Sequence, residues 1–184
     1  RGGIMPQFTW QPDDATKLNV YGFYSALDQG HVGNGFYPYV GTVVDAPFGK
    51  IDRESFYGEP DIDHGEYQQF MLGYEFEREL ENGWTFSQNA RYGHLYKYER
   101  GPYTYGYYDP TTGTGYLEQP VGPDYYLNRI GFEGESKVDT FAIDNRLNGE
   151  FATGALAHDL TVGLDYKYYR LDHVQACCGA TPIR

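Results

Sequence analysis

Large apolar and polar side chains alternate along much of the chain, most regularly between residues 67 and 99. Over 67–80 most large apolar residues lie at even-numbered positions, with Met71 as an exception, and Gln, Gly and Glu lie between them. Because successive strand side chains point to opposite faces, this period of two predicts a β-strand with one apolar and one polar face. Asn82-Gly83 predicts a tight antiparallel turn, and the alternation resumes over 84–99.

Four further segments alternate in the same way and predict strands, although the pattern is weaker in the second of them. They span about 4–11, 17–28, 135–152 and 158–173. Short turns rich in Pro, Asp or Gly, over 12–16 and 153–157, join the first pair and the last pair. The pattern therefore predicts an all-β fold of about six long antiparallel strands in up-and-down order.

The connections between these strands alternate between short and long. Residues 29–65 and 101–134 are rich in Gly and Pro and are expected to form two long loops. The central strands also exceed the length of about 5–6 residues common in soluble domains. Long strands with short turns on one side and long loops on the other are typical of an outer-membrane β-barrel. We therefore expect residues 1–184 to form a single partial β-barrel segment.

A soluble β-sandwich or meander is the alternative fold, since it shows the same alternation. It accounts for neither the strand length nor the asymmetry of the connections.

Composition supports strands over membrane helices and limits the possible partners. The chain has 184 residues, 20 of them Tyr, and a mean hydropathy of -0.63. No apolar run approaches the roughly 18 residues that a transmembrane helix needs, whereas alternation lowers the hydropathy of a barrel strand. The net charge of -12 argues against binding to nucleic acid, which requires clustered Lys and Arg.

Several short stretches resemble the barrel of TonB-dependent siderophore receptors, most closely the ferric-hydroxamate branch of ferrichrome and ferrioxamine receptors. The stretches lie in the expected order over nearly the whole chain, at predicted strand ends. They are Trp10 to Leu18, Gly58 to Asp61, Leu72 to Glu77, Asn82 to Tyr92, Phe151 to Gly154, His158 and Val162 to Tyr166. The resemblance implies location in the bacterial outer membrane, a 22-stranded barrel with an N-terminal plug, and import of ferric siderophores with energy relayed by TonB.

The chain differs from whole receptors of this kind in having about six predicted strands and no plug or TonB box. Because about eight strands make the smallest membrane barrel, six are expected to be a segment from the middle of a receptor barrel. The resemblance then implies that outer-membrane lipid, a plug and the remaining strands are partners of the chain. TonB would act only through that plug.

No catalytic or metal-binding motif is recognisable. The five histidines are scattered without the spacing of a metal site, and no serine lies in a nucleophile elbow. Residues 61–66 faintly resemble a calcium loop but lack its later ligands. We therefore expect no enzyme activity, no metal and no cofactor, with the ferric siderophore as a transported ligand.

Tyrosines in the long loops are the candidate ligand-binding residues, because a phenol offers an apolar face and a hydroxyl to a bulky, partly polar ligand such as a metal chelate. The alternative is that they order the loops and meet the headgroup region. The candidates are Tyr37, Tyr39, Tyr57, Tyr103, Tyr105, Tyr107, Tyr108 and Tyr116.

Two alternatives to a transport segment remain open at the level of sequence. One is a soluble or surface β-sheet binding module whose tyrosine-rich loops recognise a glycan, phage protein or bacteriocin. The other is a structural fragment without activity of its own. The state of the adjacent Cys177 and Cys178 is also open, because a bond between neighbouring cysteines is uncommon.

Overall fold

A computed structural model describes residues 1–30, 35–81, 83–179 and 182–183. Nine strands form one sheet, and these residues include no helix of the length and apolar character needed to cross a bilayer. The predicted all-β fold is confirmed. The strands are β1 (Gly2–Ile4), β2 (Gln7–Asp13), β3 (Thr16–Gln29), β4 (Gly35–Phe36), β5 (His64–Glu79), β6 (Thr85–Asp109), β7 (Thr114–Leu117), β8 (Tyr126–Thr153) and β9 (Leu156–Cys177).

The long strands lie in chain order in the sheet, as expected for up-and-down connections. Their spatial order is β1-β3-β5-β6-β8-β9, with β2 also paired to β3. The β1 and β2 pairings with β3 are antiparallel, as is that of β7 with β6. Only two residues of β4 pair with β6, and they do so in parallel.

Short turns occur where Asp and Gly predicted them. The side chain of Asp13 accepts the Ala15 N–H at 3.0 Å between β2 and β3. Gly83, with φ +77°, lies in the turn before β6, and Gly154, with φ +64°, lies between β8 and β9. Positive φ is readily adopted by Gly because it lacks a Cβ, which explains the tight reversals. Asn82 of the predicted Asn-Gly pair lies outside the described residues.

The second long connection is more ordered than the loop expected at 101–134. β6 continues through Gly101 and Pro102 to Asp109, and β8 begins at Tyr126. Between them β7 forms a hairpin with β6, whose turn is closed by the Asp109 carboxylate accepting the Thr111 N–H at 2.8 Å. The Gly and Pro residues suggested a loop, but the tyrosines between them have high strand propensity. Among its described residues, the first connection, expected at 29–65, contains one strand, β4, before β5 begins at His64.

The chain divides into two compact units. We call residues 1–27, 67–96 and 136–172 the wall unit, and residues 28–66, 97–135 and 173–184 the loop unit.

The wall unit has an apolar and a polar sheet face, as the alternation predicted. Aromatic rings approach one another on the apolar face, where the centroids of Phe141 and Tyr166 lie 6.5 Å apart. Much of this face is exposed, as shown by Leu164 at 73%. On the polar face, Asn19 donates to the Glu75 carboxylate at 3.2 Å and accepts from a neighbouring amide side chain.

The loop unit has a hydrophobic core of its own, formed by Val40, Ala46, Tyr107 and Leu127. Tyr107 is 1% exposed, and its hydroxyl donates to the Val40 carbonyl at 2.7 Å.

Polar contacts hold the segment around this core. Lys50 Nζ donates to the carbonyls of Thr42 at 3.0 Å and Val43 at 2.7 Å and lies 3.2 Å from the Asp45 carboxylate. The Thr42 hydroxyl donates to the Pro38 carbonyl at 2.6 Å. The segment from Pro38 to Lys50 is thus fixed by the chain itself, although it contains no strand.

Candidate functional site

Four of the eight predicted tyrosines line one open cavity of about 740 Å³ in the loop unit. The structure adds Phe36 and Glu118 to its wall. We call this site the tyrosine cavity and define it by Phe36, Tyr37, Tyr39, Tyr105, Tyr116 and Glu118.

Edge-to-face contacts organise the rings around this cavity. The Tyr105 centroid lies 5.7 Å from that of Phe36 and 5.6 Å from that of Tyr116, with interplanar angles of 76° and 67°. Aromatic pairs favour this arrangement because the positive edge of one ring meets the negative face of the other. Phe36 is nevertheless 66% exposed and Tyr116 56% exposed. Contiguous exposed aromatic surface of this kind is typical of a binding site.

Strand pairing places these residues together from distant parts of the chain. The parallel pairing of β4 with β6 sets Phe36 opposite Tyr105, and β7 brings Tyr116 to the same strand. Tyr116 has a φ of +62°, in a region that non-glycine residues seldom adopt. Such a conformation costs about 1–2 kcal/mol and is concentrated at functional sites.

Two of the predicted tyrosines lie in or against the core of the loop unit. Tyr107 belongs to the core cluster, and Tyr57 packs against it; both line a second cavity of about 300 Å³. Burial, followed by the nearby Tyr57, raises the pKa of Tyr107 to about 12. Burial also raises the pKa of Tyr37, whose hydroxyl donates to the Ser55 carbonyl at 3.4 Å. The roles of Tyr37, Tyr57 and Tyr107 in ligand binding stay predictions. The contacts described here are made within the protein itself.

The last two predicted tyrosines do not line the tyrosine cavity. Tyr103 contacts its edge, with its ring centroid 6.0 Å from that of Phe36, whereas Tyr108 lies outside its lining. Phe36 and Glu118 were missed because the sequence argument considered tyrosine alone. The run of aromatic residues at 36–39 was the signal that could have included Phe36.

Another cavity of about 520 Å³ in the loop unit combines two arginines with two glutamates. Arg129 is nearly buried and lies 3.3 Å from the Glu59 carboxylate, while Arg100 donates to the Ile62 carbonyl at 2.8 Å. Cys177 and Cys178, whose state the sequence left open, form a disulfide in its wall.

The described residues contain no cluster of three potential metal ligands from His, Cys, Asp and Glu. Within the faint calcium motif, the Asp63 carboxylate accepts the Glu59 N–H at 3.1 Å. This contact gives Asp63 a role in closing the loop before β5.

Long strands in up-and-down order, with short turns between some and long connections between others, are the architecture of a β-barrel wall. The family model described as "TonB dependent receptor-like, beta-barrel" matches residues 7–183. The chain therefore belongs to the TonB-dependent receptor-like β-barrel family.

Named receptors align with nearly the whole chain. The ferrioxamine B receptor of Salmonella typhimurium strain SL1344 is 34% identical over 183 residues, covering 99% of this chain and 24% of the receptor. The ferrichrome outer membrane transporter/phage receptor of Escherichia coli K12 is 30% identical over 181 residues, covering 94% of this chain and 23% of that protein. The ferrioxamine receptor of Yersinia enterocolitica is 27% identical over 192 residues. The chain thus spans about a quarter of the length of these relatives.

These comparisons confirm the resemblance found in the sequence and the location in the bacterial outer membrane. The alternative of a soluble binding module is not supported by membership of this family. The relatives are named as receptors and transporters, and none is named as an enzyme.

Proposed function

We propose that the chain is part of a TonB-dependent receptor that imports a ferric siderophore. The observation that carries the proposal is the 34% identity to a ferrioxamine B receptor over 99% of this chain. The open tyrosine cavity supports it, because exposed aromatic rings suit a bulky chelate with apolar and polar surfaces. In this proposal the chain has no catalytic role and no resident cofactor, and the ferric siderophore is its transported ligand.

The wall unit contributes the membrane-facing part in this proposal. Residues 1–184 form one segment of barrel wall, whose exposed apolar face contacts outer-membrane lipid. The main path of the sheet contains six strands, fewer than the eight of the smallest membrane barrels, so closure requires further strands. The polar face around Asn19 and Glu75 contacts a plug, through which TonB acts.

In this proposal the wall unit crosses the bilayer, which the length of its strands supports. β6 has 25 residues. A tilted strand crosses the hydrocarbon core of about 30 Å with about 9–11 residues. The wall-unit part of β6, Thr85 to Tyr96, is long enough for that crossing. The tyrosine cavity then faces the medium, where it captures the ligand before the plug rearranges.

Uptake of radioactive iron by the full-length gene product that contains this chain tests the proposal. The host is a bacterium without hydroxamate-siderophore receptors, and the probe is a linear ferric trihydroxamate. We expect uptake that requires TonB and a decrease of at least about tenfold in apparent affinity when Tyr105 and Tyr116 are both changed to Ala.

The matched control is Tyr125→Ala, because Tyr125 is in the loop unit but does not line the tyrosine cavity. Absence of uptake by the wild-type protein would contradict transport. Equal losses in the control and the double variant would contradict the assignment of this cavity.

A further inference from the structure

The disulfide between Cys177 and Cys178 closes a small ring, because the two cysteines are adjacent in the chain. A disulfide stabilises a fold mainly by closing a loop in the unfolded chain, and the effect grows with the number of residues in that loop. A bond between neighbouring residues closes no such loop. Stabilisation of the fold therefore does not account for this pair.

The backbone around the pair is strained. The Cα atoms of Cys177 and Cys178 are 3.7 Å apart, as covalent adjacency requires, whereas a disulfide usually joins Cα atoms about 4.4–6.8 Å apart. Cys178 also has a φ of +94°, a left-handed value that residues other than glycine seldom adopt. A disulfide held outside its usual geometry is more easily reduced, because opening it releases the strain.

The pair is accessible to a small molecule. Cys177 and Cys178 are both exposed, and both line the cavity of about 520 Å³ in the loop unit, which we call the disulfide cavity. A cavity of this volume is in the range that small-molecule ligands occupy. Its lining carries charges of both signs, so a hydrophilic, charged reagent can enter it. The charged residues are Glu59, Arg100, Arg129 and Glu133.

We propose that Cys177 and Cys178 form a site of reversible thiol–disulfide exchange, at which small hydrophilic thiols open the ring and small disulfides close it again. The inference does not depend on the transported ligand. It adds a modification site to the loop unit, apart from the tyrosine cavity.

The exchange proceeds in two steps. A small thiolate attacks one cysteine sulfur and forms a mixed disulfide with it, and the other cysteine is expelled as a thiolate. A second small thiolate attacks the mixed disulfide, leaves as a small disulfide and expels the remaining cysteine as a thiolate. Two small thiols are thus oxidised to one disulfide, the protein disulfide is reduced, and the two thiol protons pass to the two cysteine sulfurs.

Opening the ring changes the end of β9. In the disulfide form the Cys178 N–H donates to the Gly131 carbonyl at 2.8 Å while Cys178 is at positive φ. Without the bond to Cys177, Cys178 is expected to return to negative φ, which turns its N–H away from Gly131. The wall of the disulfide cavity therefore differs between the oxidised and the reduced protein.

Differential alkylation of the full-length gene product in outer-membrane vesicles tests the site. The protein is equilibrated in a glutathione buffer in which disulfides that close long loops stay oxidised, and free thiols are then alkylated. Mass spectrometry follows the tryptic peptide that begins at Leu171 and contains both cysteines. We expect no alkylation before glutathione is added, and two alkyl groups on more than about half of the peptide afterwards. Excess oxidised glutathione should restore the unlabelled peptide.

Two variants distinguish exchange from a structural role. Cys178→Ser leaves one thiol, which oxidised glutathione should convert to a mixed disulfide that no neighbouring thiol can resolve. The peptide then gains the mass of one glutathione, which the wild type does not retain. Replacement of both cysteines, Cys177→Ser with Cys178→Ser, should not lower the thermal midpoint by more than about 2 °C, because no loop closure is lost.

Three results would overturn the inference. They are a disulfide that resists the glutathione buffer, cysteines that are already free in the untreated protein, and a Cys178→Ser variant that takes up no glutathione. A clearly lower thermal midpoint in the double variant would also overturn it, because the bond would then be structural. None of these results bears on the proposed transport, which the uptake of radioactive iron tests separately.

Discussion

In the wall unit large apolar side chains remain exposed, whereas the loop unit buries a small apolar cluster of its own beside the exposed rings of the tyrosine cavity. Leu164 of the wall is 73% exposed and Val162 is 55% exposed, while Tyr107 and Leu127 of the loop unit are 1% and 4% exposed. Among the described residues, the cluster of buried apolar side chains thus lies in the Gly- and Pro-rich segments and not in the regularly alternating ones. In the proposed barrel this difference reflects the surroundings. Lipid covers the wall unit, whereas water around the loop unit favours the burial of apolar area.

The two units also use hydrogen bonds differently. In the wall unit, side chains such as Asn19 and Glu75 bond to one another across strands. In the loop unit, side chains of Tyr107, Thr42 and Lys50 donate to backbone carbonyls that no sheet partner satisfies. Side-chain donors can order an irregular segment in this way, because they supply its backbone carbonyls with hydrogen bonds that a sheet would otherwise provide.

The largest expected effect comes from removing the centre of the loop-unit core. Tyr107→Ala is expected to destabilise this unit by about 3–5 kcal/mol, because it leaves a cavity and deprives the Val40 carbonyl of its donor. Limited proteolysis of residues 38–57 in the folded full-length protein measures the loss. Tyr108→Ala is the control, and equal cleavage in the two variants would show that the core does not hold the unit.

A charged residue introduced on the apolar face tests the assignment of the two faces of the wall unit. Leu164→Arg is expected to cost about 2–4 kcal/mol in a bilayer, because the exposed strand face carrying Leu164 contacts lipid in the proposed barrel. Thr161→Arg places the same charge on the opposite face of β9 and should cost much less. Urea unfolding in lipid vesicles measures both, and equal costs would contradict the assignment of the two faces.

Removal of the backbone strain at Tyr116 is expected to change the stability of the loop unit and its ligand binding in opposite directions. Tyr116→Gly is expected to stabilise the unit by about 1 kcal/mol, because glycine adopts φ +62° without penalty, while weakening ligand binding through loss of the ring. Tyr116→Phe keeps both the strain and the ring face. Thermal unfolding and ligand titration check the opposite signs, and a destabilised Gly variant would show that the ring's contacts outweigh the backbone strain.

The smallest effect concerns the Tyr107 hydroxyl. Tyr107→Phe is expected to cost about 1 kcal/mol at neutral pH, since one buried hydrogen bond is lost. The folded-state pKa of Tyr107 is raised to about 12 from 10.0, so the wild type loses stability as pH rises from 10 to about 12.

At this position the Phe variant cannot titrate, so the stability difference between the two proteins should narrow over that pH interval. Urea unfolding at a series of pH values measures the difference, in which the other tyrosines cancel. A gap that stays constant to pH 12 would contradict the burial of the phenol.

The wall could be predicted from the sequence because its physics is local. Side chains two residues apart share a face, so the alternation at 67–80 and 84–99 identified β5 and the first part of β6. Turn glycines such as Gly154 were recognisable because the ability to adopt positive φ is a property of glycine itself. The fold class followed from these patterns, whereas the family followed from the resemblance of short sequence stretches to known receptors.

The interior of the loop unit could not be predicted in the same way. Tyr107 and Val40 are 67 positions apart in the chain, and no local pattern indicates that they meet. Gly101-Pro102 suggested a loop where β6 continues, because local propensity was overridden by pairing with neighbouring strands. The prediction consequently grouped Tyr105, which lines the tyrosine cavity, with Tyr107, which is buried.

Lys50, Thr42 and Tyr107 donate hydrogen bonds to carbonyls of the segment 38–50. In the proposed receptor these bonds affect the kinetics of ligand capture. Fixing one residue of a mobile loop costs about 1–2 kcal/mol of conformational entropy. Here that cost is met during folding, before any ligand arrives, so it does not reduce affinity at each encounter. In the proposed receptor this segment is therefore already ordered when the ligand arrives, and the association rate is set by diffusion and charge.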